Sequence, residues 1–411
     1  MKQNDSRSRG HRRQFRNAGI AAVSVAALAL SACSSSTDSD AGVTGGNCTS
    51  TKEPVKISVI ADLSGPSPAL MSHGKAVVAA ATTAAHLSDT SGGINCAPIQ
   101  LMVHDGAGSS AGVTQAVRDA INDRPAAITG FAISGFLAGA VPLINQSKIP
   151  WMSTSPAFEG VADTPFFYST QIANKVLGER AAEALKRELG GSLAGKRIAF
   201  EGTTNSATVD EVLAAMTTAV QAEGGSVGPV FRDSTVVTDW SSQAAKVTSE
   251  NVDAVTSVGT DAGMIVMNQA LKTANFGGKY LSILSATDAA LSKVDSDSFL
   301  SMRNVNFPTE GSPLGDAVVA AGASLSDANA SGYFGQEFAA ASALIQTLRK
   351  CGNDCNADEF TKTVSGFGPY TIPLNALLGT MEFTPREATM PVGVFRWDAS
   401  SGKTVQVGSD L

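Results

Sequence analysis

From Val55 onward the chain alternates two hydrophobic patterns. Short continuous apolar runs, "VKISVIADL" from Val55, "PIQLMVHD" from Pro98, "AAITGFA" from Ala126 and "IPWMSTS" from Ile149, are separated by longer Ala-rich stretches with helical spacing at residues 69–86, 111–122 and 136–146. Unbroken apolar runs of this length predict strands buried on both faces, and the amphipathic stretches predict the helices that cover them. A second series follows: "KRIAFEG" from Lys196, "GPVFRD" from Gly228, "AVTSVG" from Ala254 and "YLSILSA" from Tyr280, again with helical stretches between. Repeated strand–helix units mean parallel sheets wrapped by helices. The pattern predicts an α/β protein of two doubly wound lobes.

The first 54 residues break the rhythm. Lys2, Arg7, Arg9, Arg12, Arg13 and Arg16 precede the uncharged run "NAGIAAVSVAALALSAC", which has the layout of an export signal and is too short for an ordinary membrane span. It ends in Leu30-Ser31-Ala32-Cys33, which resembles the bacterial lipobox, so residues 1–32 are expected to be a lipoprotein signal peptide and Cys33 the lipidated N-terminus. Residues 33–54, mostly Ser, Thr, Gly and Asp, have nothing to bury and read as a flexible tether. The expected location is the outer face of the bacterial cell membrane, through a lipid anchor.

Charge and cysteines refine this picture. The net charge is −7, and the leader holds six of the 30 basic residues, so the exported part is more acidic still. Nucleic-acid binding, which needs a basic face, is not expected. Beyond Cys33 stand four cysteines, Cys48, Cys96, Cys351 and Cys355, an even number suited to an oxidising compartment. Of the three possible connectivities, the pairs Cys48–Cys96 and Cys351–Cys355 are favoured. No histidine stands near "CGNDC" in sequence, so it is not read as a metal site, and no cofactor is expected.

One stretch invites a different reading. In "MVHDGAGSSAG", Gly106, Gly108 and Ala111 satisfy G-x-G-x-x-G/A between a strand and a helix, as a dinucleotide-binding loop does. Such a loop normally follows the first strand, with an acid ending the next one to hold the ribose. Here it follows the second strand and the next ends in "GFAISG", so the glycines read as a tight strand-to-helix connection. A G-x-S-x-G elbow is likewise missing, since Ala132 stands where the first glycine should be before Ser134. The chain is not expected to be an enzyme.

Six segments, "ISVIADLSGPSPALMSHGKAV", "GGINCAPIQLMVHD", "AITGFAIS", "IPWMSTSP", "FFYSTQ" and "VGVFRWDASSGKTVQV", resemble in order and spacing the Leu/Ile/Val-binding family of substrate-binding proteins. The resemblance covers the chain from about Val55 to the C-terminus. It implies the type I periplasmic-binding fold, two lobes joined by three crossovers, here near Asn174, Arg303 and Gly393. The first lobe would comprise residues 55–173 and 304–392, the second residues 174–303 and 393–411.

In open α/β sheets ligands sit beyond the carboxyl ends of the strands, which makes residues 64–66, Ser134, Gly135, Ser153 to Ser155, residues 202–205, Thr260, Asp261 and Ser285 to Thr287 candidate binding residues. In the resembled family, a serine after the third strand and a small residue plus threonine after the fourth hold the ligand carboxylate; Ser134, Ser155 and Ala157 occupy those places. The family's ammonium clamp, an aromatic and a glutamate, is replaced by Asp261 and Ser285, and Ala207 is nearest to its usual tyrosine. His73 and Phe334 fall where the family places pocket aromatics. Either Asp261 has become the counter-ion for an amine, or the ligand lacks an α-ammonium and is bulkier; the second is favoured, because an unpaired buried carboxylate is costly. The resemblance thus implies a solute-binding lipoprotein of an ABC importer, with a small polar or carboxylate-bearing ligand and membrane permease subunits as partners. A surface sensor or adhesion lipoprotein of the same fold is the alternative, and branched-chain amino acid binding stays open.

Overall fold

The computed structural model describes Cys48 and residues 52–131, 133–156, 164–204, 206–233, 239–283, 286–294, 297–352, 355–408 and 410–411. The apolar runs form strands β1 (Val55–Ala61), β2 (Ile99–Asp105), β3 (Ala127–Gly130), β4 (Trp151–Ser153) and β5 (Phe167–Ile172), then β6 (Arg197–Thr203), β7 (Ser226–Asp233), β8 (Ala254–Val258), β9 (Lys279–Ser282) and β10 (Phe299–Arg303). Four short strands follow: β11 (Glu382–Phe383), β12 (Glu387–Thr389), β13 (Gly393–Asp398) and β14 (Lys403–Gln406).

They build two seven-stranded sheets, ordered β11-β12-β5-β4-β3-β1-β2 and β14-β13-β10-β9-β8-β6-β7. Pairing is parallel except where β11 meets β12 and where β13 meets β10 and β14. Each sheet reverses its order beside its first strand, with β1 between β2 and β3 and β6 between β7 and β8. That reversal opens a crevice at the strand ends. The chain passes from the first sheet to the second after β5, returns after β10, and passes over again between β12 and β13. Three crossovers therefore join the lobes.

Burial explains the composition of the runs. Every residue of β3, β4, β5, β8 and β10 is buried, whereas β2, at a sheet edge, alternates with solvent. The longest helix, Pro68–Thr90, starts on the Ser67 hydroxyl, which accepts from the Leu70 amide, with a proline in its first turn. Its alanines pack against Tyr333–Cys351, a helix buried along most of its length. The helix expected over residues 136–146 is instead broken into Ser134–Leu137, a 3-10 turn and Val141–Ser147. Pro142 accounts for the break, since a proline fits a first turn but not a helix interior. The disulfides pair as favoured, Cys48 with Cys96 and Cys351 with Cys355. No helix among the described residues is long and apolar enough to cross a membrane.

Candidate ligand-binding cleft

The strand ends of both sheets converge on a cleft. From the first lobe it is lined by Leu70, His73, Phe131, Ile133, Ser134, Pro156 and Tyr333. The second lobe contributes Thr203, Ser206, Thr208, Val209, Val258, Gly259 and Thr260. Among these described lining residues there is no Asp, Glu, Lys or Arg.

The first lobe supplies an aromatic wall. Phe131, directly after β3, lies with its ring 4.2 Å from that of Tyr333, which opens the helix Tyr333–Cys351, and His73 approaches Tyr333 at 4.7 Å and Phe131 at 6.0 Å between ring centres. Burial pulls the His73 imidazole down to about 4 and raises the Tyr333 phenol, so both rings are neutral at neutral pH. One turn beyond Tyr333, the fully buried Glu337 accepts from Thr129 Oγ1 at 2.7 Å and is pushed up to about 8 by its burial. It lies beneath the wall rather than in it.

The second lobe presents helix beginnings. Ser206 caps Ala207–Ala222 by accepting from the Val209 amide at 3.4 Å, and Thr260 caps Asp261–Thr273 by accepting from Gly263 at 3.2 Å. Both caps line the cleft, so two first turns bring orphan backbone donors towards it. Beneath Gly259, the Glu201 carboxylate is bonded to the Ser257 hydroxyl. A Cβ on Gly259 would stand 2.9 Å from Ser257 Oγ and 3.0 Å from Glu201 Oε2, which is why this strand end has no side chain.

Three polar side-chain atoms lining the cleft are buried with no hydrogen-bond partner among the described residues: His73 Nδ1, Ser134 Oγ and Thr208 Oγ1. Leaving such a group unpaired costs about 1–3 kcal/mol. Orphans of this kind gathered in one cleft are what a polar ligand would satisfy.

The sequence candidates scatter around this centre. Ser134, His73, Thr203 and Thr260 line it. Gly135 is exposed and outside the lining. Ser153 ties strands together instead, donating to the Gly130 carbonyl at 2.8 Å and accepting from the Ser155 amide at 2.9 Å. Ser155 is buried and outside the lining, its carbonyl accepting from Ser169 Oγ at 3.0 Å. Phe334 points into the core, stacked on Phe338 at 6.1 Å, and its neighbour Tyr333 faces the cleft. Ala207 packs against the first lobe's core, while Thr208 and Ser206 reach the cleft. Ala157, Ser285 and Cys33 lie outside the described residues.

Asp261 lies in an adjoining chamber that shares His73 and Thr260 with the cleft and also holds Lys293. Its carboxylate accepts from the Thr287 hydroxyl at 2.6 Å and the Thr287 amide at 3.2 Å. Burial raises its pKa, opposed by Thr287, Arg303 and Lys293. Burial outweighs these partners, so they offset its charge only in part.

Phe131 and Thr208 were not singled out from the sequence. Phe131 directly follows the "AITG" strand, where the strand-end rule applied to every residue would have found it. Thr208 had no comparable signal. The glycine loop proves to be a junction: Asp105 Oδ1 accepts from the amides of Leu63, Ser64 and Ala107 at 2.9, 3.2 and 2.8 Å. Gly108 donates to Asp62 at 3.0 Å. No phosphate cradle is needed to explain these glycines.

The sequence model of the family described as periplasmic binding protein matches residues 54–403. Among solved structures, an ABC-transporter solute-binding protein of R. palustris in complex with 4-hydroxybenzoate is similar at 18% identity and a TM-score of 0.70, covering 87% of this chain and 96% of that one. A leucine-binding protein of Thermotoga maritima is similar at 16% identity and a TM-score of 0.70, covering 86% and 98%. A fatty acid ABC transporter substrate-binding protein from Thermomonospora curvata is similar at 16% identity and a TM-score of 0.72, covering 90% and 95%. At these identities the likeness concerns the fold. No curated protein matched.

Proposed function

This chain belongs to the periplasmic binding protein family, and from that premise we propose that it is the exported, lipid-anchored receptor of an ABC importer for a small carboxylate-bearing or neutral polar molecule with a ring or comparable apolar body. The anchor is Cys33, the tether residues 33–54, and the membrane partners are the importer's permease subunits. The ligand is not a standard α-amino acid.

One observation carries the ligand class: the cleft combines an aromatic wall with three unpartnered neutral polar atoms and, among its described lining, no charged side chain. An α-ammonium taken from water into such a site would lack a counter-charge, at a cost of several kcal/mol. A carboxylate can instead be held by hydroxyls and helix-start amides. The 4-hydroxybenzoate complex of a structural neighbour supports an aromatic acid in a cleft of this fold. Two lobes meeting around the ligand suit a binder in which ligand shifts the population to a closed state, the form a permease would recognise.

The test is a thermal-shift screen of the chain beginning after Cys33 against amino acids, amides, and aromatic and alicyclic acids. Ligand at about 100 times Kd adds roughly 2.7 kcal/mol, a rise on the order of a few degrees. A response confined to ring acids or amides is expected; one confined to leucine, isoleucine and valine would overturn the ligand class. For the anchor, Cys33→Ser should release the chain from the membrane fraction and abolish its labelling by fatty acid.

A further inference from the structure

The two unpartnered hydroxyls of the cleft come from opposite lobes. Ser134 opens the short helix Ser134–Leu137 of the first lobe, and Thr208 lies in the first turn of Ala207–Ala222 in the second; these helices pack against each other. Ser134 is 3% and Thr208 6% exposed, and neither hydroxyl oxygen has a partner among the described residues. We propose that Thr208, with the first-turn amides of its helix, binds one oxygen of the ligand's carboxylate while Ser134 binds the other, so that the acid group itself bridges the lobes. The inference rests on the carboxylate-bearing ligand read above and adds the residue that selects for it.

Three features favour this end of the cleft. A sixteen-residue helix presents its positive end there, and of its first-turn amides the Ser206 hydroxyl satisfies only that of Val209. The nearest acid on that helix, Asp210, is paired with Arg232 at 2.5 Å. The other helix start in the second lobe is less suited to an anion, since Glu201 lies beneath Gly259 and Asp261 opens the helix Asp261–Thr273. With the acid held between Ser134 and Thr208, the ring lies against Phe131 and Tyr333, and His73 Nδ1 remains for a hydroxyl or carbonyl on the ring.

The test compares benzoate with benzamide by calorimetry on the purified chain and on Thr208→Val, which keeps the shape of the side chain and removes its hydroxyl. The expected result is a benzoate Kd weakened roughly 10- to 100-fold, a benzamide Kd changed less than about fivefold, and recovery of benzoate affinity in Thr208→Ser. Unchanged benzoate binding in Thr208→Val would overturn the inference and leave the ligand class standing. Equal losses for both probes would also overturn it, because they would mark a structural role without selection for the acid. If the unaltered chain binds neither probe nor cyclohexanecarboxylate, the ligand class itself falls, and this assignment with it.

Discussion

The two walls of the cleft are made of different material. The first lobe contributes three aromatic rings, Leu70, Ile133 and Pro156, with Ser134 at one end; the second contributes Thr203, Ser206, Thr208 and Thr260 around Val209, Val258 and Gly259. One wall offers apolar area, which is non-directional and grows with contact. The other offers hydroxyls and helix-start amides, which are directional and count only when aligned. A ligand can therefore adhere to the first lobe in several poses, while the second lobe accepts few of them. On the proposed reading of the cleft, affinity and selectivity are divided between the lobes.

The largest effect should come from filling the space where the walls meet. Ser134→Trp is expected to abolish binding of every ligand found in the screen, with the unfolding midpoint moved by only a few degrees; retained affinity would show that the ligand sits elsewhere. The next concerns the support of the aromatic wall. Because Glu337 titrates at about 8 in the folded chain, against an ordinary 4.5, it folds in the protonated form. The stability this group contributes is fully present below about pH 4.5 and is lost as the pH rises through 8, with a slope approaching 1.4 kcal/mol per pH unit. Glu337→Gln should match the natural chain near pH 4.5 and be increasingly more stable above it; parallel melting curves from pH 5 to 9 would refute the assignment. His73, lowered to about 4, acts in the opposite direction, its stability being lost as the pH falls from 6.5 through 4.

On the second wall, Gly259→Ala should destabilise by about 1–3 kcal/mol, because its methyl group would press on Ser257 and Glu201; chemical denaturation measures this. The smallest effect is expected for Tyr333→Phe. Its ring contacts remain and its hydroxyl makes no hydrogen bond to a described residue, so stability should change by less than about 1 kcal/mol. A larger loss of ligand affinity than of stability would place that hydroxyl on the ligand.

The architecture was legible because parallel strands covered on both faces must be continuous apolar runs, and "VKISVIADL" or "AVTSVG" has little else to become. The loops at the strand ends were legible for the same reason. Which side chain of each loop faces the cleft was not, because that depends on where a helix begins. Successive helical residues point about 100° apart, so a shift of one position exchanges Phe334 for Tyr333 and Ala207 for Thr208. Ser153 and Ser134 look alike in sequence as serines after strands, yet one hydroxyl is used up by the Gly130 carbonyl and the other has no partner among the described residues. Only the neighbouring backbone, brought in by the sheet, distinguishes them.

The clasp formed by Asp105 on the amides of Leu63, Ser64 and Ala107 has a kinetic consequence. It fixes the loop that leads into the helix Pro68–Thr90, and with it Leu70 and His73, before any ligand arrives. If the cleft binds as proposed, the first lobe is a finished landing surface on which capture can begin. Substitutions in the second lobe, such as Thr208→Val, should chiefly shorten the residence time of bound ligand. Those that loosen the clasp should slow its arrival as well.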